Sequence, residues 1–362
     1  MKALRLALLA LLLLGAGGGV LGFLYWQLLD FRDTPYGAPE AKVVEVPPGA
    51  SAHAVVRLLA RAGVVSDEAL AWRYVRFLRR DPRRMQAGEY VFQGALRPDD
   101  VLERIYRGEV RVYQFTIPEG LRLEEIAAVI ERSGLGKAQE LLPLMRDEKF
   151  ARELGVPAPL ASLEGFLFPE TYSFPRNPKA RTVLSAMAAR YREAYRRADA
   201  GRLDGVQLDE AEAVTLASII EKETGRADER PRISCVFHNR LRRGMRLQTD
   251  PTVMYATMLR NGGRWSSNIT RADLLAPHPY NTYTVAGLPP GPIASPGAAA
   301  LAAALHPSEC SDLYFVSRND GSHVFCPDLA CHEAAVRKWQ VEFFRQRRAA
   351  ARGEKPNPAG SR

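Results

Sequence analysis

The chain has 362 residues, 46% hydrophobic and 25% charged. This is an ordinary folded protein, long enough for one large domain or two to three smaller ones. Its formal charge of +9 suits anionic lipid headgroups or an acidic polymer. Nucleic acid, the first partner a basic chain brings to mind, is excluded by the location that the N-terminus implies. Lys2 and Arg5 precede an uncharged stretch over Leu6–Leu29, rich in Leu and Gly and carrying Phe23, Tyr25 and Trp26 at its far end. A hydrocarbon core takes about 20 apolar residues to cross, so residues 6–29 are predicted to span the cytoplasmic (inner) membrane once. The positive-inside rule leaves the N-terminus in the cytoplasm and everything after Asp30 outside. A cleaved signal peptide is the rival reading, because Gly15–Gly19 are small residues. Against it, no A-x-A pattern follows a short apolar core, and the apolar stretch runs on past the glycines.

Residues 1–30 are thus the cytoplasmic N-terminus and membrane helix, and residues 31–41, with Pro35, Gly37 and Pro39, a linker. A pattern then occurs twice. Val46-Pro47-Pro48-Gly49 is followed by Val55, Leu59 and Gly63, and Ile117-Pro118-Glu119-Gly120 by Ile126, Ile130 and Gly134. Each copy predicts a strand (Val43–Val46, Val112–Ile117), a Pro-Gly turn, an amphipathic helix and a Gly stop. An aromatic run follows each: Gly88-Glu89-Tyr90-Val91-Phe92, then Glu164-Gly165-Phe166-Leu167-Phe168. A small strand–helix unit just outside a membrane looks like a LysM-type glycan-binding module, or else is a structural spacer.

From Arg181 to Arg260 the pattern is mainly helical. Helices are expected over Arg181–Ala198, over Asp209–Glu223 with Asp209 as N-cap and Glu212 at the capping-box position, and over Arg232–Arg243 before Gly244. A further helix begins at Asp250-Pro251, with Asp as N-cap and Pro at the first position. The proline-rich stretch His278–Pro296 reads as a loop. Leu313–Val316 and His323–Phe325 read as strands around a turn at Asn319-Asp320-Gly321. Residues 346–362 read as a disordered basic tail. Outside the membrane disulfides become possible. Cys326 and Cys331 suit a local disulfide, or one of them a bond to Cys310, while Cys235 reads as a core residue. A zinc site from His323, Cys326, Cys331 and His332 has the residue types but no common zinc-module spacing.

Four stretches carry chemistry-bearing side chains. In Leu216-Ala217-Ser218-Ile219-Ile220-Glu221-Lys222-Glu223-Thr224-Gly225, a turn of about 100° per residue gathers Leu216, Ile219 and Ile220 into a stripe with Glu223 in its middle. Glu221 points elsewhere. A carboxyl on a buried face at a helix C-terminus has its pKa raised by lost hydration and by the helix dipole. This favours the protonated form that a departing glycosidic oxygen needs. The alternative is a structural Glu223 paired with Arg226 or Arg230. Glu164, Glu170 and Tyr172 place acids beside aromatics, which suits sugar rings but equally suits a core strand with two exposed acids. Gln248, Asp250, Tyr280, Asn281, Thr282 and Tyr283 supply groups suited to sugar hydroxyls.

Taken in order, Glu164-Gly165-Phe166-Leu167-Phe168-Pro169-Glu170-Thr171-Tyr172, Ala217-Ser218-Ile219-Ile220-Glu221-Lys222-Glu223-Thr224, Asn239-Arg240-Leu241 with Gly244–Pro251, and Tyr280-Asn281-Thr282-Tyr283 with Gly287-Leu288-Pro289-Pro290-Gly291-Pro292-Ile293 resemble the endolytic murein transglycosylases of the MltG (YceG-like) family, over about residues 42–340. The resemblance implies an α+β protein: one transmembrane helix, a LysM-like α+β module over 42–110, and a mixed α/β catalytic domain over 111–345 with a mainly helical centre. It implies cleavage of the bond between N-acetylmuramic acid and N-acetylglucosamine within nascent peptidoglycan strands, leaving 1,6-anhydromuramic ends and ending strand elongation. It further implies Glu223 as the catalytic acid, with Glu221 second, no metal or cofactor, and penicillin-binding synthases as partners. Glu170 stands where Asp is common in that family, which keeps the charge. The competing readings are a non-catalytic membrane-anchored peptidoglycan-binding scaffold and a zinc-dependent wall hydrolase.

Overall fold

In the computed structural model, which describes residues 2–345 and 347, the N-terminal apolar run forms one continuous helix, α1 (Lys2–Asp33). Its stretch Leu11–Asp33, of mean hydropathy 1.5, is long and apolar enough to cross a membrane. The basic tail expected over 346–362 lies, Arg347 apart, outside the described residues. The remainder is a mixture of helices and strands in two units, residues 1–113 with 173–177, and residues 114–172 with 178–362.

In the first unit, β1 (Lys42–Val46) pairs antiparallel with β2 (Gly88–Phe92), Val44 opposite Tyr90. Alternation turns Val44, Val46, Tyr90 and Phe92 inward. They meet Val55, Val56 and Leu59 of α2 (Ala52–Arg61), whose start is capped by Ser51. Helix α3 (Glu68–Arg73), capped by Asp67, continues into a π-helical stretch over Tyr74–Arg79. Helix α4 (Pro98–Arg107) adds Val101, Leu102 and Ile105. The segment expected as a linker is instead packed onto this unit. Phe31 is buried in the core, and Tyr36 exchanges two backbone hydrogen bonds with Leu96. Its Pro and Gly residues shape a path across a surface rather than a free tether.

In chain order there follow β3 (Val112–Thr116), α5 (Leu123–Arg132), α6 (Ala138–Met145), α7 (Glu148–Glu153) and β4 (Thr171–Pro175), with β4 beside β3. The partner strand of β3 is thus β4. The aromatic run 164–168, counterpart of β2 in the sequence pattern, is a turn instead. Then come α8 (Ala180–Asp199), α9 (Glu210–Glu223), α10 (Arg230–Arg242), α11 (Asp250–Arg260), α12 (Arg271–Leu275) and α13 (Ala298–Leu305). An antiparallel hairpin of β5 (Tyr314–Ser317) and β6 (His323–Cys326) precedes α14 (Leu329–Val336).

Helix α9 packs against α10, α11 and α13. From Ala213 to Ile220 every residue is buried, so the middle of α9 is enclosed on all sides rather than along the one stripe its Leu and Ile pattern suggests. Its small residues make that possible. Ser218 turns its hydroxyl to the Thr215 carbonyl and accepts the Ile293 N–H at 3.0 Å. Gly165, at φ +81°, comes so close to the same helix that an added Cβ would lie 2.5 Å from Pro292 and 3.0 Å from Val214. Two bonds between cysteines tie down the far side, Cys235–Cys310 and Cys326–Cys331. The second is the local pair expected, while Cys235 is buried as expected but is also half of a cross-link. Gly165→Ala combines overpacking with a disfavoured φ and is expected to cost about 2–4 kcal/mol. Thermal unfolding of the detergent-solubilised variant beside wild type measures it, and an unchanged midpoint would refute this account of the glycine.

Candidate active site

Helix α9 starts with a full capping box, Asp209 accepting from the Glu212 N–H and Glu212 from the Asp209 N–H. It stops where Thr224 turns extended at φ −143°. Glu223 is therefore the last helical residue, delivered into a cavity of about 420 Å³. Burial pushes its carboxyl up to about 7, and the nearby Asp250 carboxylate adds to the rise. The buried Thr249 hydroxyl beside it and the Arg240 charge hold the rise in check. The negative end of the helix dipole acts in the same direction as burial.

The two arginines considered as partners for Glu223 are engaged elsewhere. Arg230 bonds Glu221 at 2.8 Å, and Arg226 bonds Asp228 at 2.7 Å. Glu221 also accepts the Gly297 N–H at 3.0 Å. Its pKa is raised, burial being the largest cause, but its oxygens are committed to bracing α9 against Gly297 and Arg230. It does not line the Glu223 cavity.

Of the other expected residues, Gln248, Asp250 and Tyr283 share the cavity with Glu223. Asp250 is the first helical residue of α11 rather than its N-cap, which is Thr249. Freed from capping, its carboxylate accepts the Tyr283 hydroxyl at 2.7 Å. Gln248 takes a left-handed φ of +49° and donates its N–H to the Thr282 carbonyl. Thr282 and Asn281 are 1% exposed, and they shape the site from behind. The Thr282 hydroxyl accepts the Thr249 N–H at 3.0 Å. Asn281 donates to the carbonyls of Asp273, Leu274 and Ala276 at the end of α12, and its own side-chain oxygen accepts the Tyr283 N–H. Neither has a group left for a sugar hydroxyl.

Glu164, Glu170, Tyr172 and Tyr280 lie away from this cavity. Burial pushes the Glu164 carboxyl up to about 8, where it accepts the Tyr255 hydroxyl at 3.3 Å. Tyr280 packs its ring 4.9 Å from that of Tyr255. Glu170 forms a two-pronged ion pair with Arg190 at 2.7 and 2.8 Å. Tyr172 is buried and donates to the Phe168 carbonyl at 2.7 Å.

The remaining walls come from residues given no part in sugar binding, His332 having been considered only as a zinc ligand. Arg240 donates to the carbonyls of Leu313 and Leu247 at 2.6 and 2.7 Å and lies 5.1 Å over the Tyr314 ring. The His332 ring stacks on the other partner of that group, Tyr314, at 4.9 Å. Its pKa is lowered by burial and then by Arg240, which favours the neutral ring. Tyr314, Phe315, Leu329 and His332 together give the cavity an aromatic and apolar side facing the acids. The zinc reading fails here, because Cys326 and Cys331 have spent their sulfurs on each other and His323 bonds Glu229 at 2.6 Å.

The family model described as YceG-like matches residues 44–338, which include the whole cavity lining. The chain belongs to the YceG-like family. Among its relatives, an endolytic murein transglycosylase of Bacillus subtilis is 31% identical over 313 residues, 82% of this chain and 84% of the relative. One of Streptococcus pneumoniae is 29% identical over 351 residues, and there the chain spans only 61% of the relative's length. The 2.6 Å crystal structure of a YceG-like protein from Listeria monocytogenes, 30% identical, superposes with a TM-score of 0.53 over 82% of this chain and 98% of that one.

The electrostatics of this YceG-like site are testable without substrate. The Glu223 carboxyl resonance, assigned in carbon-13 NMR by its loss in Glu223→Gln, is expected to titrate with a midpoint of about 7. Asp250→Asn removes a neighbouring negative charge and should lower that midpoint. Thr249→Val removes a stabilising hydroxyl and should raise it. Because the folded pKa lies above the ordinary 4.5, the stability Glu223 contributes is complete below 4.5 and is lost as pH rises through about 7. Glu223→Gln should therefore gain on wild type across that window, by up to about 3 kcal/mol. A midpoint in the ordinary carboxylate range, with no such gain, would mean that the cavity is wetter than its geometry implies.

Proposed function

We propose that this protein cuts peptidoglycan glycan strands internally by lytic transglycosylation, with Glu223 as its catalytic acid and base. The observation that carries this reading is a single desolvated carboxyl, poised near neutrality at the end of a buried helix, facing a polar and aromatic cavity without a cation bonded to it. The names of the relatives support the same reaction.

The chemistry runs in two half-steps at one residue. Protonated Glu223 gives its proton to the glycosidic oxygen as the bond from C1 of N-acetylmuramic acid breaks, releasing the N-acetylglucosamine 4-hydroxyl. The C6 hydroxyl of the same muramic residue then attacks C1, and its proton returns to Glu223. No water is consumed, a 1,6-anhydro end is left, and no second catalytic carboxylate is needed, unlike ordinary glycosidases. A carboxyl with a pKa near the working pH serves both half-steps, since it neither holds nor loses its proton too strongly. Arg240 and Asp250 then act on Glu223 electrostatically, while Gln248, Tyr283 and the Tyr314–His332 stack offer donors and a flat apolar surface to the sugars.

The same reading extends to the rest of the chain. Residues 42–110, a two-stranded sheet covered by helices, act as a LysM-like glycan-binding module, and residues 111–345 carry catalysis. Residues 6–29 anchor the protein with its N-terminus in the cytoplasm. Cysteines paired in disulfides support an oxidising location for the rest. Cleavage of nascent strands ends their elongation, next to the penicillin-binding synthases that make them.

The test is mass spectrometry of purified glycan strands after incubation with the detergent-solubilised full chain, wild type beside Glu223→Gln. Internal fragments ending in 1,6-anhydromuramic acid are expected from wild type, with a loss of about 10²–10⁴-fold in the variant. The wild-type kcat/KM should fall through one ionisation near pH 7, because the free enzyme must carry the proton. Reducing ends in place of anhydro ends would make it a hydrolase, with Asp250 in the same cavity as the second carboxylate. Equal activity in the variant would remove Glu223 from the mechanism, and a folded wild type without products would leave a binding scaffold.

A further inference from the structure

A second, apolar cavity of about 670 Å³ lies in the first unit, against the outer end of α1. Leu21, Leu24, Tyr25 and Leu28 form one wall, and Leu70, Phe77 and Leu78 of the α3 region the other, with Arg73 at the edge. The wall along α1 runs for about 10 Å at 1.5 Å per residue. It passes the aromatic cluster Phe23–Trp26, whose stacked rings mark a membrane–water interface. On the reading of residues 6–29 as a span, the groove lies at its outer end, where hydrocarbon gives way to headgroups. Phe77 is 56% exposed, and with the exposed Leu21, Leu24 and Tyr25 it makes a contiguous apolar surface rather than an isolated side chain.

The charges around the groove divide into two sets. Arg79 and Arg83 are neutralised by Asp81, Asp99 and Glu103. Arg73, Arg76 and Arg80 are exposed and pair with no acid among the described residues. Arg76 lies over the Trp72 and Phe77 rings at 6.0 and 5.6 Å, which aligns its stem with the apolar surface and its charge with the rim. Arg80 occupies a left-handed position, φ +45°, where Gly or Asn is usual. An apolar groove with unpaired arginines along one edge has the chemistry of a phospholipid: acyl chain below, phosphate above.

We propose that the Leu70–Arg80 segment is a second membrane contact, which seats an anionic phospholipid between itself and α1 with its phosphate on Arg73, Arg76 and Arg80. The proposal rests on the reading of α1 as a membrane span. Phe31, buried in the same unit in the last turn of α1 and 6.0 Å from the Tyr74 ring, makes the attachment stiff. The unit then lies on the bilayer in one orientation instead of swinging on a tether.

Nitroxide labels on the full chain test this in vesicles of phosphatidylcholine, alone or mixed with phosphatidylglycerol. Among the described residues no cysteine is free, so Phe77→Cys, Val43→Cys and Leu13→Cys each offer one labelling site. Val43 is exposed on the outer face of β1, and Leu13 lies within the span. Labels at 13 and 77 are expected to collide with oxygen and be shielded from a water-soluble nickel chelate, and the label at 43 the reverse. Shielding at 77 should increase severalfold with phosphatidylglycerol, and combined Arg73→Glu, Arg76→Glu and Arg80→Glu should abolish that increase. A lipid signature at 13 with a watery one at 77 overturns the second contact and leaves the anchor standing. A watery signature at 13 overturns the anchor and the proposal with it. Shielding at 77 that ignores lipid charge overturns the phosphate site.

Discussion

The structure turns on the enclosure of α9. Burying a helix on every side leaves none of its faces for solvent, so its neighbours must approach closely and its polar groups must be satisfied inside the protein. The chain meets both conditions with small residues. Ser218 and Thr215 return their hydroxyls to helix carbonyls, and Gly165 leaves room for Pro292 and Val214 to close in on its backbone. What looks like a set of scattered motifs is largely the packing shell of one helix. The benefit is positional. A helix that cannot tilt presents its last side chain to the same point in space, and that side chain is Glu223.

Two residues apart on a helix means about 200° apart around it. Glu221 and Glu223 are both largely removed from water, yet their surroundings give them opposite tasks. Glu221 faces Arg230 and the Gly297 N–H, so its charge is balanced and its geometry fixed. Glu223 faces a cavity, with a carboxylate on one side and an arginine beyond, so its proton is held near the point of exchange. Environment rather than residue type separates the structural acid from the chemical one. Glu164 makes the same point from the other direction. It has the higher pKa of the two at about 8, but its carboxyl meets Tyr255 instead of the cavity, so a raised pKa without access marks packing rather than chemistry.

Much of this was legible in the residues themselves. The α9 capping box, the end of α10 near Gly244, the irregular stretch 278–296 and the β5–β6 hairpin follow local rules that need no tertiary knowledge. Glu223 and Glu221 do meet different surroundings, as their spacing requires, although the stripe that suggested their phase dissolves where the helix is buried all round. The failures share a cause. Asn281 and Thr282 carry the right groups for sugars, but α12 and Thr249 take those groups first. Tyr314 and His332 join the cavity only because Arg240, more than 70 residues earlier, bonds the Leu313 carbonyl. Contacts made across such distances in the chain leave no periodic trace in the sequence.

Those long-range contacts also set the chemistry. The acidity of Glu223 is a balance, raised by burial and Asp250, lowered by Thr249 and Arg240. None of the last three is held by its own helix alone. Thr249 is fixed through its N–H by Thr282, Asp250 by the Tyr283 hydroxyl, and Arg240 by carbonyls on two separate segments. Tyr283 is in turn placed by Asn281, and Asn281 by the last turn of α12. A carboxyl near neutrality is sensitive to small displacements of charge, since about 1.4 kcal/mol moves its pKa by one unit. The rigid, fully bonded loops around Glu223 are therefore as much a part of the candidate active site as the groups that face the cavity.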